Sequence, residues 1–198
     1  MWSICRRRKY FVTATVFAAA LVMALVIHET RALAGESGTT HSRTRMFGLK
    51  LAYGQSFDTR EMVETVAFMP YIYWSLYDVT KSIDLGLVIE PVFFYYIEPE
   101  HSEGFGITPR LRFAYHGWTV IPYLEMGVGL FYTDLDAWEL GQNFNFSPQG
   151  EIGLDVPVGS CTFLNLGYRY HHISNAGMDE RNGGVDTNFG VIGFSRKF

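Results

Sequence analysis

The chain has 198 residues and a formal net charge of −4, room for one domain of ordinary size and too little for separate cofactor and substrate lobes. Hydrophobic residues make up 48%, aromatics 16% and charged residues only 18%, with 20 glycines, a mix that excludes a disordered chain and a highly charged nucleic-acid binder.

The first segment reads as an address, not as structure. Arg6-Arg7-Arg8-Lys9 precede the uncharged run Tyr10 to Ile27, and Ala32-Leu33-Ala34 supplies the small-x-small pattern of a signal-peptidase site. Residues 1–34 are therefore expected to be a secretory signal peptide and residues 35–44 a short N-terminal tail; an uncleaved anchor is the alternative, because the run is long for a signal. Removing 1–34 leaves 11 basic and 19 acidic residues, a net charge of −8, so nothing electrostatic favours nucleic acid as a partner. Cys5 falls in the signal and leaves Cys161 alone, which rules out an intramolecular disulfide or a thiolate metal cage in the exported chain and gives Cys161 no assigned role.

From Arg45 onward, eight segments of alternating polarity follow one another, separated by clusters of Gly, Pro, Asp, Asn and Ser. Their expected limits are 45–57, 61–76, 82–97, 105–116, 118–133, 143–156, 160–174 and 185–198, each long enough to cross a bilayer as a tilted strand of about 9–11 residues. Successive side chains of a strand point to opposite sides. In the first, Phe47, Leu49, Leu51 and Tyr53 oppose Lys50; in the third, Ile83, Leu85, Leu87 and Ile89 oppose Asp84, Gly86 and Glu90. In the fourth, Ile107, Leu111 and Phe113 oppose Arg110 and Arg112, and in the fifth Leu124, Met126, Val128 and Leu130 oppose Glu125, Gly127 and Gly129. In the sixth, Ile152 and Leu154 oppose Glu151 and Asp155.

A soluble sandwich would share this alternation. The charged face, however, is rich in glycine and nearly balanced in sign, which suits the crowded interior of a narrow barrel, and aromatics gather near strand ends as interfacial girdles do. The fold class expected is all-β: an eight-stranded antiparallel transmembrane β-barrel over 45–198, filled by packed ion pairs among residues such as Glu125, Arg110 and Arg112. The closing Phe194-Ser195-Arg196-Lys197-Phe198 resembles the terminal signal of bacterial outer-membrane barrels, with Arg196 where an apolar residue is usual. With both ends periplasmic, the connections near 78–81, 116–118 and 157–160 become inner turns, and those near 98–104, 134–142 and 175–184 outer loops; the first outer loop, near 58–60, is short.

No soluble-enzyme motif is found: no P-loop, dinucleotide fingerprint, HExxH, paired Cys motif or G-x-S-x-G elbow. The chemistry lies near the end. Parity turns Asn165, Gly167, Arg169 and His171 inward on strand seven and Tyr168, Tyr170, His172 and Ser174 outward, while Asp186 and Asn188 share that outer side on strand eight. A His, a Ser and an Asp thus gather on the lipid-facing wall at the outer rim, where unpaired polar groups are costly. Residues i and i+2 of a strand lie about 6.5–7 Å apart, a gap an imidazole largely bridges. The reading is Ser174 as nucleophile, His172 as base and Asp186 as the acid that holds the imidazole. Asn175 and the Gly177 amide are expected to stabilise an oxyanion, and neither metal nor cofactor is required.

At His172-x-Ser174-Asn175-Ala176-Gly177, followed by Asn182, Gly184 and an acid at 186, the chain resembles the lipid A 3-O-deacylases of the PagL family. The resemblance covers the whole exported chain in architecture and about its last thirty residues in specific positions. It implies the same roles for His172, Ser174, Asp186, Asn175 and Gly177, a supporting role for Asn182, and hydrolysis of the 3-hydroxyacyl ester at position 3 of lipid A without a cofactor. It also implies an outer-membrane location with the site toward the outer leaflet. Asp186 is a departure, since the acid of this family is Glu. Partners are then lipid A, lipopolysaccharide and outer-membrane lipids, with a homodimer as a further option.

Plainer readings stand beside these. His171 points inward as a hydrogen-bonding residue, and Asp134, Asp136 and Glu139 form a solvated acidic loop in preference to a calcium site. Two rivals to the esterase are a non-enzymatic OmpA-like structural or adhesion barrel, in which the three polar groups do not converge, and another acyl-modifying barrel such as a palmitoyl transferase, with its site inside.

Overall fold

In the computed structural model, which describes residues 44–198, eight antiparallel strands close into a barrel, each pairing with its neighbours in sequence and the first with the last. They are β1 (Arg45–Phe57), β2 (Glu64–Asp78), β3 (Ile83–Glu98), β4 (Ser102–Tyr115), β5 (Ile121–Thr133), β6 (Phe144–Pro157), β7 (Thr162–Ile173) and β8 (Val185–Lys197). The signal peptide and all of the tail except Thr44 lie outside the described residues.

Alternation decides what each strand buries. On β5, Leu124, Met126, Val128 and Leu130 are exposed on the outer wall while Tyr123, Glu125 and Phe131 are buried. The interior is polar at mid-height and apolar toward the end away from the termini, where Phe94, Phe131, His171 and Phe189 pack in tilted and edge-to-face contacts with ring centroids 5.0–6.1 Å apart. His171 is held there by Ser147, whose hydroxyl lies 2.9 Å from Nε2.

The buried charges match one for one at mid-height. Lys50 Nζ lies 2.6 Å from Glu151 and 3.5 Å from Glu125. Arg110 bridges Glu90 and Glu125, each at 2.7 Å, Arg112 bridges Glu125 and Asp155, and Arg169 bridges Glu90 and Glu151. All eight side chains are 3% exposed or less. An isolated buried charge costs several kcal/mol, so strands from every side of the barrel contribute a partner. At the end bearing the termini, Asp84 accepts a hydrogen bond from Tyr73 and lies 3.3 Å from His116 Nε2.

Two connections at the far end differ from expectation. The loop placed at 98–104 is only residues 99–101, because Gly104 is a strand residue paired with Phe94. Its missing side chain makes room for Phe131, whose ring carbon would sit 2.6 Å from a Cβ at that position, so this glycine serves interior packing and not a turn. The first loop, expected at 58–60, runs instead over 58–63. Ser56 clasps it: its backbone N–H donates to Val63 O at 2.8 Å, and its hydroxyl accepts the Val63 N–H at 2.8 Å. The far-end connections are thus residues 58–63, 99–101, 134–143 and 174–184.

Glu151 joins three elements of the network: it accepts from Lys50, from the Tyr123 hydroxyl at 2.6 Å and from Arg169 Nε at 2.7 Å. Glu151→Gln keeps the shape but leaves Lys50 and Arg169 short of a negative charge. It should destabilise the barrel by about 3–5 kcal/mol, read as a lowered urea midpoint in the heat-modifiable gel mobility of the detergent-folded protein, whereas the exterior change Leu124→Ala should leave that midpoint nearly unmoved.

Candidate active site

Strand β7 buries Asn165, Arg169 and His171 and exposes Leu166, Tyr168 and Tyr170. His172 follows this parity onto the outer wall, and Asp186 of β8 is its direct cross-strand partner. His172 Nδ1 lies 2.7 Å from Asp186 Oδ1. An ionised carboxylate can only accept, so the proton sits on Nδ1 and Nε2 remains the basic nitrogen. The two side chains are 24% and 26% exposed, half-covered by the wall around them. Tyr170, two residues before His172, donates its hydroxyl to the same Asp186 Oδ1.

The β7–β8 pairing ends at Ile173 and Val185, and there the strands part. Ser174 turns to β6: its N–H donates to Phe146 O at 3.1 Å, and Phe146 N–H returns to Ser174 O at 2.8 Å. Gly184, the residue facing Ser174 across the gap, donates instead to Glu139 O at 3.2 Å. Its φ is +79°, and a Cβ there would lie 2.4 Å from His172 Cε1 and 3.0 Å from Nε2. The imidazole therefore lies against bare backbone at Gly184. Among the described residues no hydrogen bond joins Ser174 to His172; strand spacing sets them about 6.5–7 Å apart along the backbone.

The loop beyond Ser174 is built by two asparagines. Asn175 is fully buried; its Nδ2 donates to Arg181 O at 2.7 Å, and its Oδ1 accepts the Gly177 N–H at 2.9 Å. The turn passes through left-handed backbone at Ala176 and Gly177, with φ of 55° and 81°. Asn182 Oδ1 accepts the Asn175 N–H at 2.9 Å and so fixes the peptide that follows Ser174. The donors expected at Asn175 and Gly177 to face an oxyanion are thus spent inside the loop in this structure, because a carboxamide shielded from water takes the nearest backbone partners.

The connection 134–143 props this loop. Leu140 pairs with Asn182, Glu139 O receives Gly184, and Glu139 Oε1 accepts the Arg60 N–H of the first connection at 2.8 Å. Asp134 accepts the Glu103 N–H at 2.5 Å, so these acids are tied into loop structure. Among the described residues no group of three or more His, Cys, Asp or Glu side chains has the geometry to hold a metal ion, and Cys161 is an exposed free thiol at the other end. The sequence pattern does not single out Tyr170 or the packing role of Gly184; the one signal for Tyr170 is that it shares the outward parity of His172.

A search of curated protein sequences found no match. Among solved structures, the outer-membrane enzyme PagL superposes with a TM-score of 0.60 at 18% identity, covering 74% of this chain and 97% of that one. Neisserial surface protein A gives 0.61 at 15% identity, covering 78% and 97%, and Ail of Yersinia pestis in complex with a heparin analogue gives 0.52 at 10% identity, covering 80% and 100%. At these identities the likeness is one of fold, that of a small outer-membrane barrel. A family model described as lipid A 3-O-deacylase matches residues 48–195, a stretch that includes the histidine, serine and acid just described. The chain is thus an outer-membrane β-barrel that belongs to the lipid A 3-O-deacylase (PagL) family.

Proposed function

We propose that this protein is a serine esterase that removes the 3-O-linked hydroxyacyl chain of lipid A, with its active site on the outer wall of the barrel facing the outer leaflet. The observation that carries the reading is the His172–Asp186 hydrogen bond on the exterior, two residues before Ser174 in the chain. Groups on that wall meet membrane lipid, so the ester they act on belongs to a lipid. The far end, with the 134–143 and 174–184 loops, is the extracellular end, and barrel and site together reach the outer leaflet, where lipid A resides.

In the first half-reaction Ser174 Oγ attacks the acyl carbonyl carbon while Nε2 of His172 takes the hydroxyl proton, and Asp186 stabilises the imidazolium. Rotation of Ser174 toward Nε2 accompanies substrate entry, since catalytic hydrogen bonds commonly tighten only in the complex. The tetrahedral intermediate collapses with cleavage of the acyl carbon–oxygen bond, and the imidazolium protonates the departing 3-oxygen of the sugar. Water, deprotonated by the same nitrogen, then releases the hydroxy acid from the serine. For Asn175 and Gly177 to stabilise the oxyanion, the Gly177 N–H must exchange Asn175 Oδ1 for the substrate oxygen; the exposure of Ala176 and Gly177 leaves room for that exchange.

Among the described residues, paired charges occupy the interior at mid-height. A transferase pocket for an acyl chain would need space at mid-height, where the paired charges of Lys50, Glu151, Arg169 and Glu90 fill the section. A purely structural barrel gives no reason for an oriented His–Asp pair beside a serine.

Expression of the parent and of Ser174→Ala in a lipopolysaccharide-producing host tests the reading directly. Mass spectrometry of lipid A should show loss of one hydroxyacyl group with the parent and intact lipid A with the variant; the same lipid A from both would end the proposal. Gly184→Ala places a methyl group against the imidazole at a positive φ. It should lower turnover on the order of 100-fold, the cost of displacing a catalytic group by about an ångström, while the heat-modifiable gel mobility of the folded barrel persists.

A further inference from the structure

The outer wall around Asp186 holds more than its partnership with His172 requires. Tyr170 stands opposite Asn188 in the β7–β8 register, yet its hydroxyl reaches diagonally to Asp186 Oδ1, the same oxygen that accepts from His172 Nδ1. Diagonal neighbours on one face of an antiparallel pair lie within reach of long aromatic side chains. Both donors come from β7, two residues apart on one face, and together they fork the carboxylate from one side. On the other flank stands Phe57 of β1, the register partner of Asp186, whose ring centroid is 6.3 Å from that of Tyr170.

The short arm of Asp186 makes this fork consequential. An aspartate carboxylate stays close to its own strand and swings about two torsions, and a single acceptor–donor bond to His172 leaves that swing about the bond free. A second donor on the same oxygen removes it. We propose that Tyr170 is a positioning residue of the esterase: its phenol locks the Asp186 carboxylate in the orientation that presents Nε2 of His172 to Ser174, the place a longer glutamate would hold without help. The proposal deepens the hydrolase reading and rests on it. One rung down, Tyr168 donates to Asn188 Oδ1 at 2.6 Å, the same chemistry without contact to Asp186, and so supplies an internal control.

The test compares parent, Tyr170→Phe, Tyr168→Phe and Ser174→Ala, each as the full exported chain in detergent micelles mixed with lipid A. Tyr170→Phe keeps the ring beside Phe57 and the folded gel mobility. Its kcat should fall about tenfold, the worth of one charge-assisted hydrogen bond, with KM unchanged. Tyr168→Phe should match the parent in both. Independently of turnover, the low-field Nδ1 proton of His172 in the NMR spectrum should move in Tyr170→Phe and stay in Tyr168→Phe. A Tyr170→Phe protein with parental kcat and resonance overturns the positioning role while Ser174→Ala inactivity leaves the hydrolase standing. Full activity in Ser174→Ala overturns the hydrolase and with it any role of Tyr170 in that reaction, whatever the resonance does.

Discussion

The structure depends on one constraint: in a closed barrel of eight strands, each charged residue that parity turns inward must meet an opposite charge inside a narrow section. Lys50, Arg110, Arg112 and Arg169 come from β1, β4 and β7, and Glu90, Glu125, Glu151 and Asp155 from β3, β5 and β6. A slip of one residue in any of these strands would carry a charge to the lipid wall and leave its partner alone inside, so the network fixes register as well as filling space. The same register delivers His172 opposite Asp186 outside: Arg169 cannot face Glu151 unless His172 faces outward, because the two differ by an odd number of residues.

That coupling explains why the outer cluster was legible in the residues. The eight strands follow from alternation, and the pairing of His172 with Asp186 follows from where a hairpin between Ser174 and Gly184 must close. What spacing does not reveal is who accepts from whom. Asn175 and Gly177 look like donors awaiting an oxyanion, yet Asn175 is buried and its oxygen captures the Gly177 amide. Gly104 looks like a turn residue, yet it is the space Phe131 needs. Tyr170 looks like one more girdle aromatic until its hydroxyl is followed to Asp186. In each case the deciding partner is distant or diagonal, and a one-dimensional pattern carries no information about it.

The far-end loops convert a barrel rim into a site by cross-bracing. Connection 134–143 holds Gly184 through Glu139 O and Asn182 through Leu140, and the Glu139 side chain reaches the first connection at Arg60. Arg60 in turn lies over the Trp138 ring, with its guanidinium carbon 3.8 Å from the centroid. Ser174 is paired to β6 on one side, and the residue after it is pinned by Asn182 on the other. The backbone at the serine is thus held from two elements while, among the described residues, no hydrogen bond engages its hydroxyl, the division of labour the proposed nucleophile requires: a fixed main chain and a side chain free to rotate.

A polar cluster on a lipid-facing wall has to answer for its desolvation, and here the answer and the chemistry coincide. Asp186 is satisfied by His172 and Tyr170, and Tyr168 and Asn188 satisfy each other one rung below. The bonds that make these residues tolerable beside hydrocarbon are those that orient the base. On the proposed mechanism, stability and catalysis draw on the same contacts at Asp186, so a substitution there would weaken both. At Ser174 they would separate: among the described residues no hydrogen bond engages its hydroxyl, which on that reading leaves it for a lipid ester.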